Sequence, residues 1–213
     1  MNSRYRLSTG ILSLFFLWNC AGPAQKAAPP SAPPPEPAVT LFDHLGTHAH
    51  PITTRTALAQ QYFDQGLRLI YAFNHEEAVR AFAEAARLDS TCAMAYWGWA
   101  LALGPNINMP MEKPAEQQAC ELVQKARALS AQTSEAEHAY IEALATRYAP
   151  EEEANRAALD SAYAAAMGLV AARYPDDLDA STLYAEARMD LRPWDYWTPK
   201  GAPQPGTLEI LQI

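Results

Sequence analysis

Between Leu58 and Ser90 apolar residues recur every three or four positions in two blocks, parted by polar Asn74, a spacing that predicts two amphipathic helices joined by a tight turn. The pair fits a hairpin of about 34 residues. Gly66 falls where the two helices come closest, and Ala78, Phe82 and Ala85 offer small, large and small side chains on one face of the second helix. Asn74 with Glu77 three positions on predicts a capping box at the start of that helix.

The same grammar continues downstream. A second unit starts near Ala93, with Tyr96, Trp97, Leu101 and Leu103 on its first helix and Ala119, Val123 and Ala126 on its second. Its connecting loop, 104–111, holds Gly104-Pro105 and Pro110 and so cannot be helical throughout. A third hairpin is predicted from Ser134 to Tyr148 and from Glu151 to Tyr174, with Ile141, Leu144, Ala145 and Tyr148 in the first-helix pattern. A further first helix runs from Leu178 to Leu191 and is stopped by Pro193. The acids Glu151-Glu152-Glu153 suit a helix start, where they meet the positive end of the dipole.

Residues 58–90 resemble a tetratricopeptide repeat, with Tyr62 where the motif usually has Trp and Ser90 where it closes with Pro. A narrower resemblance, to long bacterial tetratricopeptide proteins, rests on H-P-I-T-T (His50 to Thr54), F-N-H-E-E-A (Phe73 to Ala78) and Y-W-G-x-A-x-x-x-G-P-N (Tyr96 to Asn106). It implies an all-α fold, a right-handed superhelical stack of antiparallel helical hairpins of the TPR-like α-solenoid type, about three and a half repeats long. It implies architecture and a protein or peptide partner, but no chemical activity.

The first forty residues break the pattern. Arg4 and Arg6, an apolar stretch from Leu7 to Trp18 and Cys20 have the layout of a bacterial secretory signal, too short to span a membrane. Leu17-Trp18-Asn19-Cys20 resembles a lipoprotein box, which makes Cys20 the expected lipid attachment point, although Asn19 stands where Gly, Ala or Ser is usual. An ordinary secretory signal cut after Ala24 is the alternative. The domain plan is then residues 1–20 as signal, 21–40 as a Pro/Ala-rich linker and 41–213 as the helical domain. Proline holds such a linker extended, for a stand-off of roughly 50 Å. Ala21 after the cysteine favours the outer membrane of the cell envelope, so the membrane is engaged through the lipid anchor alone.

Charge narrows the partner. The formal net charge is −8, and Arg4 and Arg6 would be lost with the signal, which disfavours nucleic acid. Phe63, Leu67, Trp97 and Leu101 are expected along the concave face of the stack, and Trp194 and Trp197 in a turn after the fourth first-helix, as protein-binding positions. The competing reading is that such aromatics fill core. Phe63 and Leu67 stand where carboxylate-clamping repeat domains have Lys and Asn, so an apolar or helical ligand is the better match.

No nucleophile elbow, phosphate loop, H-E-x-x-H or paired carboxylate with a base occurs, so no catalytic residue and no cofactor is expected. The alternative function is a metal or small-ligand carrier using His44, His48, His50 and His75, since a His-x-His pair can chelate a transition metal. No Cys or carboxylate lies at ligand spacing in the sequence to complete such a site, so no metal site is assigned, and His50 and His75 are expected instead to pin the entry segment to the first hairpin. Met109 and Met111 are too few for a copper site and suit gap-filling. Cys92 and Cys120 should lie roughly 12 Å apart along their hairpin, beyond disulfide reach, as two packed thiols. The apolar stub Leu208, Ile210, Leu211 and Ile213 suggests a piece of a longer repeat protein.

Overall fold

Eight α-helices follow one another among the described residues of the computed structural model, which are 39–150 and 155–213. They are α1 (Ala57–Tyr71), α2 (His75–Leu88), α3 (Ala93–Ala102), α4 (Lys113–Leu129), α5 (Glu135–Ala145), α6 (Arg156–Arg173), α7 (Leu178–Asp190) and the short α8 (Thr207–Ile210). The fold is all-α, and the described residues contain no strand, only isolated bridges at Asn106 with Met109 and Trp197 with Pro203. No helix among them is long and apolar enough to cross a membrane. The signal, Cys20, the greater part of the linker and Glu151-Glu152-Glu153 lie outside the described residues.

Each helix from α1 to α7 packs on the next, and α3 also touches α1 and α5. The core sits where the sequence pattern puts it: Ala78, Phe82 and Ala85 of α2 and Ala119, Val123 and Ala126 of α4 are fully buried. Gly66 and Gly98 both face the ring of Phe82, and a β-carbon at Gly66 would meet that ring at 2.7 Å. The absence of a side chain at both positions is what lets α1, α2 and α3 close on one phenyl ring.

Helix starts are specified locally. Thr56 caps α1 by accepting from Ala59 N at 3.1 Å, Asn155 caps α6 and Asp177 caps α7. The expected capping box at Asn74 and Glu77 is absent, and Ser134 with Glu137 forms one instead at α5. The reason lies in the end of α1. Phe73 N donates to Ile70 O and Asn74 N to Leu69 O, a Schellman stop that places Phe73 in the left-handed region at φ 57. Asn74 is left at ψ 68, and Glu77 pairs with Arg80 at 3.4 Å.

Residues 39–55 form a strap laid over the helices. Gln65 takes up Phe42 N and Thr40 O, Tyr62 donates to Val39 O, and Gln60 bonds His50 O and Ile52 N. Further along, Glu137 accepts Thr53 N and Oγ1 at 2.6 Å each, and Asp89 accepts Thr54 Oγ1 and Arg55 N. This strap and α5 correct one expectation: Phe63, Leu67, Trp97 and Leu101 are buried, so no partner can reach them. The ring of Phe63 lies against His50 of the strap and against Trp97, whose Nε1 donates to Tyr140 O at 3.1 Å.

Candidate functional site

The strap and the start of α7 meet in a cluster that no local sequence window contains. Asp177, as N-cap of α7, turns Oδ1 to the amides of Asp179 and Ala180 at 3.0 and 3.2 Å, which leaves Oδ2 to accept the Tyr140 hydroxyl at 2.8 Å. Two residues later Asp179 points back to the strap. His50 Nδ1 lies 2.7 Å from its Oδ2, and Oδ1 lies 2.9 Å from His48 Nε2 and 2.6 Å from the Tyr71 hydroxyl. His50 is wedged edge-on to Tyr140, with ring centroids 5.6 Å apart, and its backbone N donates to Asp64.

Electrostatics at the cluster are uneven. Burial works to lower the His50 pKa, but the hydrogen bond and charge of Asp179 outweigh it and raise the ring above its ordinary value. Burial acts to raise Asp179, yet its bonds to His50 and Tyr71 carry it below the usual carboxylate range. Asp64 is raised, by burial first. Asp64, Glu137, Asp177 and Asp179 thus surround two imidazoles, and Arg68 adds its guanidinium by donating to His48 O.

Directly beside this cluster runs an apolar groove of about 610 Å³, to which Ile70, Tyr71, Phe73, Leu178, Leu183 and Met189 contribute. Tyr71 belongs to both features. Leu178 is 76% exposed and Phe73 49% exposed, so the groove presents large apolar side chains to solvent. The carboxyl and imidazole side chains in the lining, Glu186 and His75, are both biased to their neutral forms, and Ile213, the last residue of the chain, lines the groove as well. Burial lowers His75. Burial and then the charge of Asp190 push Glu186 up to about 8.

Behind Glu186 lies a buried ion network. Arg147, its side chain 1% exposed, reaches Asp190 Oδ2 at 2.6 Å, Asp160 Oδ1 at 3.2 Å and Pro105 O at 3.1 Å, and its guanidinium stacks 4.6 Å over the Tyr163 ring. Asp190 Oδ1 is buried and receives no donor if both acids are ionised. Glu186 feels the charge of Asp190, and a proton held between the two carboxyls would relieve their mutual repulsion.

This network sets a pH response. A carboxyl raised from 4.5 to about 8 binds a proton in the fold that it has lost in the unfolded chain, so its stabilisation drains away as pH climbs from about 4.5 and is all but gone above about 8. Between about pH 7 and pH 9 the fold should lose roughly 1–2 kcal/mol, a few degrees of melting midpoint. Glu186→Gln should flatten that slope in thermal melts; a slope identical to the parent's would show that Glu186 is ionised at neutral pH. His75 acts below this window, because a lowered imidazole gains stability as pH rises from its lowered value to its ordinary one and none beyond it.

In comparisons with family models, curated proteins and solved structures, nothing matches the chain.

Of the four histidines read as a cluster, two converge and two do not. His48 and His50 share Asp179, His44 is exposed on the strap, and His75 lines the groove beside Phe73. Trp194 and Trp197 are exposed, at 72% and 49%, but stand outside the groove. Met111 packs with its sulfur 3.9 Å from Arg156, as expected of a gap-filler, whereas Met109 is exposed and fills no gap. Cys92 and Cys120 are both buried, and burial pushes the Cys92 thiol up to about 11, which leaves it unreactive at neutral pH.

Sequence reasoning missed Asp177, Asp179, Tyr71 and Tyr140. Its one usable signal was the His-x-His pair in a segment otherwise short of reasons for two imidazoles.

Proposed function

We propose that the chain is an exported helical-repeat scaffold of the α-solenoid type, built from about three and a half tetratricopeptide-like hairpins. Its folded domain binds an apolar, helix-forming segment of another protein in the groove beside α1 and α7. A lipid on Cys20 tethers it in the bacterial cell envelope, and it carries no catalytic centre of its own. The observation that carries this reading is the apolar groove with Leu178 and Phe73 exposed in its lining. A mostly apolar groove on a chain of net charge −8 matches an uncharged apolar stripe better than a carboxylate tail or a phosphate.

Backbone strain supports the same place. Phe73 holds φ 57 while largely exposed, a conformation that costs a bulky residue about 1–3 kcal/mol and is kept where structure over-determines it. Phe73→Gly should relieve the strain and raise the melting midpoint while weakening the ligand. A fluorescent amphipathic peptide with leucines at i, i+3, i+4 and i+7 is the probe, and micromolar binding, roughly −8 kcal/mol, is the expected strength. Leu178→Asp should weaken it at least about tenfold, since an anion would then sit in the apolar contact. No binding at about 1 mM peptide, or binding indifferent to Leu178→Asp, rejects the groove. The tether is checked by palmitate labelling that Cys20→Ser abolishes.

A further inference from the structure

We propose that His50, Asp177 and Asp179, with His48 as a fourth ligand, form a binding site for a divalent transition cation of the zinc class. A ring nitrogen of His50 and one oxygen from each aspartate already lie within 4.8 Å of one another. Ligand atoms around one zinc ion stand roughly 3.4 Å apart, so the three need draw together by at most about 1.4 Å. His48 Nε2, already 2.9 Å from Asp179 Oδ1, supplies a second imidazole, and its side chain is 43% exposed, on the solvent side of the cluster. An ion can therefore enter past His48 without the strap unfolding.

Three further features distinguish this cluster from surface acids that happen to be close. The ligands come from two segments some 130 residues apart in sequence, held by different elements, so the convergence is a product of the fold. Both carboxylates have outer partners: the Tyr71 hydroxyl donates to Asp179, the Tyr140 hydroxyl and two helix amides to Asp177. Such outer bonds fix ligand orientation in metal centres. The charge balance also calls for a cation, because Asp64, Glu137, Asp177 and Asp179 crowd around imidazoles that are neutral when they ligate. Two nitrogens and two carboxylates, with no thiolate, suit zinc, cobalt, nickel, manganese or iron(II) over copper(I) or calcium.

The ion would lock the strap onto α7. In its absence the same atoms form an ion-pair and hydrogen-bond pin, so the cation replaces one crosslink between residues 48–50 and 177–179 by a stronger one. Tyr71 ties the site to the groove, since its ring lines the groove while its hydroxyl holds Asp179.

The test is zinc titration of the full chain, untagged, by calorimetry and by metal content after desalting, with cobalt absorption as the report on coordination. About one equivalent should bind near pH 7.5, with tight-binding cobalt giving the intense visible bands of a low-coordinate site. His50→Gln and Asp179→Asn should abolish binding, and Tyr71→Phe should weaken it about tenfold through the lost outer bond. His48→Ala alters only the exposed flank and should weaken zinc at least about tenfold even if the buried variants fail to fold. Less than about 0.2 equivalents bound, or zinc binding that persists in His48→Ala and vanishes in His44→Ala, overturns the site.

Discussion

Replacing Arg147 by methionine should cost the domain about 3–5 kcal/mol, which is most or all of the margin a domain of this size holds. Methionine matches the volume of the stem but strands the charges that the guanidinium neutralises. Asp160 keeps a second partner in Arg156, whose Nη2 approaches to 2.9 Å, so it is not orphaned. Asp190 is: its side chain is 3% exposed and its ion-pair partner is Arg147. The carbonyl of Pro105 would also lose its donor, releasing the loop that follows α3. Lysine should recover only part of the loss, because a single ammonium cannot satisfy Asp190, Asp160 and Pro105 O from one point. Adding Asp190→Asn to Arg147→Met should restore stability, since the buried unpaired charge then disappears. Chemical denaturation of the four proteins gives the comparison; a methionine variant within about 1 kcal/mol of the parent would mean that water reaches Asp190.

Nothing in the local sequence marks Arg147 as buried. Thr146-Arg147-Tyr148 follows α5, and a basic residue at a helix end reads as a solvated partner of the dipole. The contrast with Phe82 is instructive. Phe82 belongs to a period that repeats within one hairpin, so its burial near Gly66 was legible from spacing, whereas its contact with Gly98 of the next hairpin was not. Helix extents were legible for the same reason: the run expected from Leu178 to Leu191 is found as Leu178–Asp190.

The candidate site was half legible. His48 and His50 were singled out because a His-x-His pair is scarce and chemically specific. Asp177 and Asp179 were not, because Asp-Asp-Leu-Asp at a helix start is fully explained by capping and by the dipole. That local explanation is correct for Asp177 Oδ1 and silent about every other carboxylate oxygen. An entry segment pinned by His50 to the first hairpin was legible, but the rest of the strap was not, for a similar reason. Its amides are satisfied by side chains, Gln60, Gln65, Glu137 and Asp89, and side-chain pairing of that kind has no period. With the rest of the strap unseen, Phe63, Leu67, Trp97 and Leu101 were assigned to an open face that the chain itself covers.

Asp89→Ala should be the most damaging single change at the strap, at about 3 kcal/mol, because one buried carboxylate holds three segments together. Its Oδ2 accepts Arg55 N at 2.7 Å and Thr54 Oγ1 at 2.9 Å. Its Oδ1 accepts the Arg55 guanidinium at 3.0 Å and Thr91 N and Oγ1 at 3.1 and 2.7 Å. Burial alone would raise such a carboxyl, but these donors carry it far below the ordinary range. A depressed pKa adds stability above the ordinary carboxylate value and loses it as pH falls through the folded value, so Asp89 helps at neutral pH and fails only in strong acid. The Arg55 ion pair is the smaller share, since that side chain is mostly exposed and screened. Asn at position 89 keeps one acceptor oxygen and should lose about half as much as Ala. The strap gives a second readout. Once Thr54 and Arg55 lose their acceptor, the amides of residues 50–55 should exchange with solvent much faster than those of α2 and α3, whose ladders are intact. Equal slowing or equal loss across strap and helices would mean that Asp89 supports the whole core rather than this junction. Less than about 1 kcal/mol for Ala, with unchanged exchange at Thr53 to Arg55, would show that other contacts hold the strap in place.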